Sequence, residues 1–308
     1  MTAAVELQNA SKNFDTVQAL KNVSFSVQPG EVVAFLGPNG AGKTTAISLM
    51  LGLRAPSSGT ARVFGRDPRE PQNRARIGTM LQDSDVPATL RVREVVDLIG
   101  RYYSNPLSVA KALEMADLTE KSEAMASSLS GGQKKRLCFA LSVVGNPDVL
   151  FLDEPTTALD VEARRGFWAQ VSGFAAAGKT IILTTHYLEE ADALAERIVV
   201  INRGEIVASG TPAAIKARVG GKIVRFKIRD ATPAMLENLP SVTRSSLVTD
   251  TVELYTLEPE RVLREVFARN LEIHDLEVKG GGLEEAFVQI TNAEITNSSS
   301  HASNRAQV

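Results

Sequence analysis

The chain of 308 residues holds a single cysteine, Cys138, so it can build no intrachain disulfide framework. It has three histidines, and no Cys/His spacing takes the form of a zinc site. A basic surplus is also missing. The formal net charge is −2, so no nucleic-acid partner is expected. There is no long apolar run either. The most apolar stretch, residues 137–152, is broken by "GNPD" and falls short of the roughly 20 residues that cross a bilayer. "MTAAVELQNA" lacks a basic start followed by an apolar run, so no signal peptide is expected and residence in the cytosol fits. If the chain works at a membrane, another chain must supply the spanning part. No internal repeat is visible. What is present is ordinary globular composition, 44% hydrophobic and 23% charged, at a length that suits one large domain and a small one.

The order of patterns is α/β. "VELQNA", "VSFSV" and "EVVAFL" read as strands, followed by a Gly-rich loop and a helix. From about Thr89 the period becomes helical, with Val92, Val95, Val96 and Ile99 on one face, and residues 87–146 form a mainly helical insert. "VLFLDEP" then restores strand–helix alternation, which implies a sheet covered on both faces. Near Gly220-Gly221 a new unit begins, with the order β-α-β-β-α-β of a ferredoxin-like split βαβ unit. A last helix, "LEEAFVQI", follows. The expected divisions are residues 1–222, 223–292 and a polar, disordered tail at 293–308.

Residues 37–44, "GPNGAGKT", match G-x-x-x-x-G-K-[ST] between an apolar strand and a helix. A chance match in a chain of this length is roughly one in a hundred. Gly37, Gly40 and Gly42, with Pro38, Asn39 and Ala41 between them, let the backbone curl so that successive N–H groups of the loop point inward at an anion. The helix start adds its positive dipole end. Lys43 places a point charge on the outer phosphates, and the Thr44 hydroxyl, followed by Thr45, suits Mg²⁺. The strand end "LDEP" supplies carboxylates. Adjacent strand residues face opposite ways, so Asp153 is assigned to Mg²⁺, directly or through water, and Glu154 to the γ-phosphate side as general base or water-positioner. His186 ends "TIILTTH", where a neutral imidazole can sense the γ-phosphate. His274 and His301 carry no such context.

Two residues stay open on local sequence. Gln82 can reach Mg²⁺ or the attacking water, or be an ordinary surface amide. Phe14 can stack on a purine or fill the core. "LSGGQKKR", residues 129–136, looks like a second phosphate-binding helix start, while its Lys134, Lys135 and Arg136 also read as a solvated basic turn.

The set resembles the nucleotide-binding subunit of an ATP-binding cassette (ABC) transporter over residues 4–219. The family's elements come in order: Phe14 as stacking aromatic, residues 37–45 as Walker A, Gln82 as Q-loop, "LSGGQ" as signature, "VLFLDE" as Walker B, Asp160 in "TALD" as D-loop and His186 as switch histidine. One departure is that Phe14 stands where the family most often has Tyr. Stacking does not need the hydroxyl. The resemblance implies a P-loop cassette with a RecA-like core, an antiparallel β subdomain and a helical subdomain, binding ATP and Mg²⁺. It also implies a head-to-tail dimer in which Ser130, Gly131, Gly132 and Gln133 of one copy, with Asp160, complete the ATP site of the other. A separate membrane permease would hold the subunit at the cytoplasmic face. The segment 187–212 and the terminal "LEEAFVQIT" look similar to bacterial drug-resistance exporters of the daunorubicin-resistance type. Importer subunits and soluble ABC ATPases of translation or repair are the alternatives; the latter usually carry two cassettes or long coiled coils.

Overall fold

In a computed structural model, residues 2–82, 86–157, 159–217, 221–229, 232–236, 239–269, 271–280, 282–284, 286–288 and 290–291 are described. The chain divides into two compact units, residues 1–211 and 212–308. The sequence expectation put this division at 222/223. A short helix not anticipated from sequence, α8 (Pro212–Ala217), opens the second unit. The expected tail at 293–308 lies outside the described residues.

In the first unit, β1 (Val5–Phe14), β2 (Val17–Val27) and β4 (Ser58–Val63) make an antiparallel sheet in the order β2-β1-β4. The six-stranded sheet runs β5-β6-β7-β3-β8-β9, from β5 (Ile77–Met80), β6 (Val149–Asp153), β7 (Thr180–Thr185), β3 (Val32–Leu36), β8 (Arg197–Asn202) and β9 (Glu205–Gly210). All its pairs are parallel except β8 with β9. Every residue of β3, β6 and β7 is buried, as expected for strands covered on both faces.

Helix α1 (Lys43–Met50) packs Ile47, Leu49 and Met50 into a core shared with both sheets. Burying each such side chain contributes about 1.5–3 kcal/mol. After α2 (Pro71–Arg74), the helical subdomain holds α3 (Val92–Gly100), α4 (Val109–Met115) and α5 (Gly131–Val143). The valines predicted to share a face of α3 (Val92, Val95 and Val96) are fully buried. Phe139 of α5 meets Phe167 of α6 (Val161–Ala176) edge to face, 5.3 Å between centroids. Helix α7 (Leu188–Leu194) follows β7.

The second unit carries a sheet of β10 (Lys222–Ile228), β11 (Val242–Val248), β12 (Thr251–Thr256) and β13 (Ile273–Gly280), in the order β11-β12-β10-β13 with every neighbour antiparallel. α9 (Pro233–Leu236) connects β10 to β11 across β12, and α10 (Pro259–Ala268) connects β12 to β13 across β10. Two crossovers that each skip one strand define the split βαβ arrangement. Its separate core contains Val224, Phe226, Val252, Leu254, Val262 and Val266. In the expected last helix, Leu283 and Ala286 are buried.

Candidate functional site

The parallel register brings the motif-bearing strand ends level. Leu36 pairs with Thr185, and Asp153 with Thr184, so the segments that follow β3, β6 and β7 leave the sheet along one edge. Ligands of open α/β sheets bind at this carboxyl edge. A cavity of about 440 Å³ opens here, lined by Ala19, residues 39–45, Gln82, Glu154, Thr157 and His186.

The loop after β3 is shaped by glycine. Gly42 precedes α1 with φ +110°, and a Cβ there would meet the Ala19 carbonyl oxygen at 2.7 Å; at Gly37 it would meet that of Ile201 at 2.4 Å. α1 has no side-chain N-cap and no acidic residue in its first turn. Its leading N–H groups are therefore left for an anion. Lys43 is buried, and its Nζ donates to the carbonyls of Gly37 at 2.8 Å and Pro38 at 3.3 Å.

Glu154 lies just beyond β6 with φ +51°, a left-handed conformation that costs a non-glycine residue energy. The sequence expectation separated Asp153 and Glu154 by strand alternation. The structure separates them by this backbone turn instead. Two contacts hold the turn: the Glu154 N–H donates to the Thr184 carbonyl at 3.1 Å and to Thr184 Oγ1 at 3.0 Å. The carboxylate is 9% exposed and sits between cations and donors. Lys43 Nζ lies 3.5 Å from Oε1, the Thr157 hydroxyl donates to Oε2 at 3.3 Å, and His186 Nδ1 contacts Oε2. His186 is 42% exposed and reaches the cavity mouth. Thr184 Oγ1 donates to Asp153, which is buried.

Thr44, Gln82 and Asp153 together offer a hydroxyl, an amide oxygen and a carboxylate. All three are oxygen donors, the chemistry that Mg²⁺ takes. Thr44 and Gln82 line the cavity, whereas Asp153 is buried and is not part of the lining. Ala19 and Thr157, not singled out from sequence, also line it. Ala19 had no chemical signal, while Thr157 stands three residues past Glu154.

Other expected residues lie outside this lining. Phe14 is half-buried, with the Arg54 guanidinium 4.9 Å and Lys12 Nζ 5.4 Å from its ring centroid. Ser130 is the N-cap of α5: its hydroxyl accepts from the Gln133 N–H at 3.3 Å, while its own N–H donates to Gln133 Oε1 at 3.0 Å. This capping box fixes a helix start whose Gly131 N terminus is exposed. Asp160 caps α6, accepting from the Ala163 N–H at 2.8 Å, and is itself exposed. Of the basic turn, Lys135 Nζ donates to the Gln82 carbonyl at 3.4 Å and Arg136 pairs with Asp117.

The family described as ABC transporter matches residues 20–157. A Nod factor export ATP-binding protein I of Paraburkholderia xenovorans is 37% identical over 303 residues, covering 95% of this chain and 98% of that protein. The chain belongs to the ABC transporter family. A protein of the same name from Rhizobium johnstonii is 34% identical over 95% of this chain and 96% of its own length. An ATP-binding cassette solved as a dimer in a post-hydrolysis state with ADP and Pi superposes with a TM-score of 0.61 at 27% identity, covering 67% of this chain and 98% of that one. This ABC protein is thus an ATP-binding, ATP-hydrolysing subunit built on the P-loop cassette fold. No helix among the described residues is long and apolar enough to cross a membrane.

Proposed function

We propose that two copies of this chain close head to tail around two ATP molecules, and that hydrolysis drives export through a separate integral membrane permease. The subunit would then work peripherally, at the cytoplasmic face of the membrane. The observation that carries the hydrolytic part is Glu154, a buried carboxylate held between Lys43 and His186 at the wall of the cavity.

Glu154 is placed to orient and deprotonate a water, and His186 to report on the γ-phosphate from the other side of Oε2. Lys43 and the loop N–H groups hold the outer phosphates, and Phe14 stacks the base. Thr44, Gln82 and Asp153 would hold Mg²⁺. That ion would neutralise charge on the phosphates as it develops. The exposed starts of α5 and α6 fit a partner role: Ser130, Gly131, Gly132 and Gln133, with Asp160, lie outside the lining of their own cavity and would complete that of the second copy. Loss of the γ-phosphate then releases the two copies.

Export is supported by the relatives' names and by alignment along nearly the whole chain. Within export, we place the subunit with the drug-resistance type on the 187–212 segment and the terminal helix, with a small molecule, drug or lipid-like compound as cargo. The test is Glu154→Gln. It should bind ATP, lose turnover and elute as a dimer in size-exclusion chromatography with ATP. A variant that stays monomeric with ATP bound, or turns over normally, refutes the proposal. Efflux by vesicles holding the subunit and its permease checks the direction.

A further inference from the structure

Glu190 is a buried carboxylate that the scheme above does not use. It is 0% exposed, in the first turn of α7, four residues past His186. A carboxylate placed there to complement the helix dipole has no need of burial. Glu189, next to it, is exposed and supplies that charge without desolvation. Burying a charge is costly unless polar groups compensate it. Here those groups come from two other segments. The Trp168 indole of α6 donates to Oε1 at 3.2 Å. The hydroxyls of Thr156, two residues past Glu154, and of Thr185, just before His186, bear on the same carboxyl. Burial pushes its pKa up, and Thr185, Thr156, Trp168 and the Arg164 guanidinium draw it partly back. Thr185 Oγ1 also accepts from the Tyr187 N–H at 2.9 Å. Arg164 lies 3.9 Å from the centre of the Tyr187 ring, so the first two turns of α6 grip the residue beside His186.

The network is only partly satisfied. Glu190 Oε2, Thr156 Oγ1 and Arg164 Nε have no well-formed hydrogen bond among the described residues. Half-satisfied polar networks are costly, and these three atoms lie on the segments that follow Glu154, Asp160 and His186. We infer that Glu190 is a positioning residue for hydrolysis: through the Trp168 indole it ties α6 to the helix that follows His186, and so sets where the imidazole meets the Glu154 carboxylate. This rests on the assignment of Glu154 and His186 to hydrolysis.

The experiment compares Glu190→Ala, Glu190→Gln and Trp168→Phe with Glu154→Gln in the full chain. In Glu190→Ala, kcat should fall about tenfold with KM for ATP and ATP affinity within about twofold of wild type. Glu190→Gln, which keeps shape and one acceptor, should recover part of the loss. With ¹⁵N-labelled histidine, the His186 ring signals should shift in the Glu190 variants while those of His274 and His301 stay put. Trp168→Phe removes one donor without opening the core; it should move the same His186 signals and lower kcat if Glu190→Ala fails to fold. Wild-type kcat in the Glu190 variants, or a kcat loss with unmoved His186 signals, overturns the inference. Normal turnover in Glu154→Gln instead overturns the hydrolytic assignment, leaving the His186 signals to judge Glu190.

Discussion

At the scale of the residue, Glu154 shows why identity and placement must be read apart. Its neighbours in sequence marked it as an acid at a strand end. Its contacts to Lys43, Thr157 and His186 come from three separate segments. Lys43 is correspondingly sensitive. Lys43→Ala leaves Glu154 buried without its cation and empties the wall of the cavity. ATP affinity should fall by tenfold or more by equilibrium dialysis, at a cost of about 3 kcal/mol in stability by urea titration. Ser130 marks the opposite case, a motif residue remote from its own cavity lining. Ser130→Arg should leave ATP binding intact and abolish turnover. Unchanged turnover would refute the cross-subunit role of the α5 start.

At the scale of the element, the six-stranded sheet is locked at the amino ends of its strands as well as loaded at the carboxyl ends. Arg197, at the start of β8, donates to Glu31 at 2.6 and 3.0 Å and to the Ser26 carbonyl at 2.6 Å. It thereby joins β8, the approach to β3 and β2. Burial alone would raise the Glu31 pKa, but the hydrogen bonds from Arg197 and the Gln28 N–H, with the guanidinium charge, leave it below the ordinary 4.5. The native state thus binds the proton more weakly than the unfolded chain. Stability from this pair is complete above the ordinary value and is lost as pH falls through the lowered native one. Arg197→Ala should cost about 2 kcal/mol at neutral pH, and urea titrations should show the difference shrinking as pH drops below that range. A difference constant down to strongly acid pH would contradict this account. The pair was invisible in sequence because its members lie 166 residues apart.

At the scale of the whole molecule, two units with separate cores predict two unfolding events. The nucleotide cavity belongs to the first unit alone. Calorimetry should therefore resolve one transition that rises with ATP and one that does not. At a free ATP concentration one hundred times its Kd, the first should gain about 2.7 kcal/mol. A single transition, or an equal rise in both, would contradict independence of the two units.

The sequence by itself determined the element types, the phosphate loop and the βαββαβ order of the second unit. These rest on local signals: glycine where the backbone must curl, apolar periodicity of two or 3.6, and unbroken apolar runs for strands covered on both faces. It missed α2 and α8, four and six residues long with one buried residue each, Asn73 and Ile215, because so short a segment shows no period. Only the tertiary structure decided which side chains meet. The level ends of β3, β6 and β7 put Lys43, Glu154 and His186 around one cavity. The left-handed turn at Glu154 parts it from Asp153. The α6–α7 contact brings the Trp168 indole onto the buried Glu190. Such contacts depend on strand register and helix packing between segments distant along the chain, and no window of neighbouring residues encodes them.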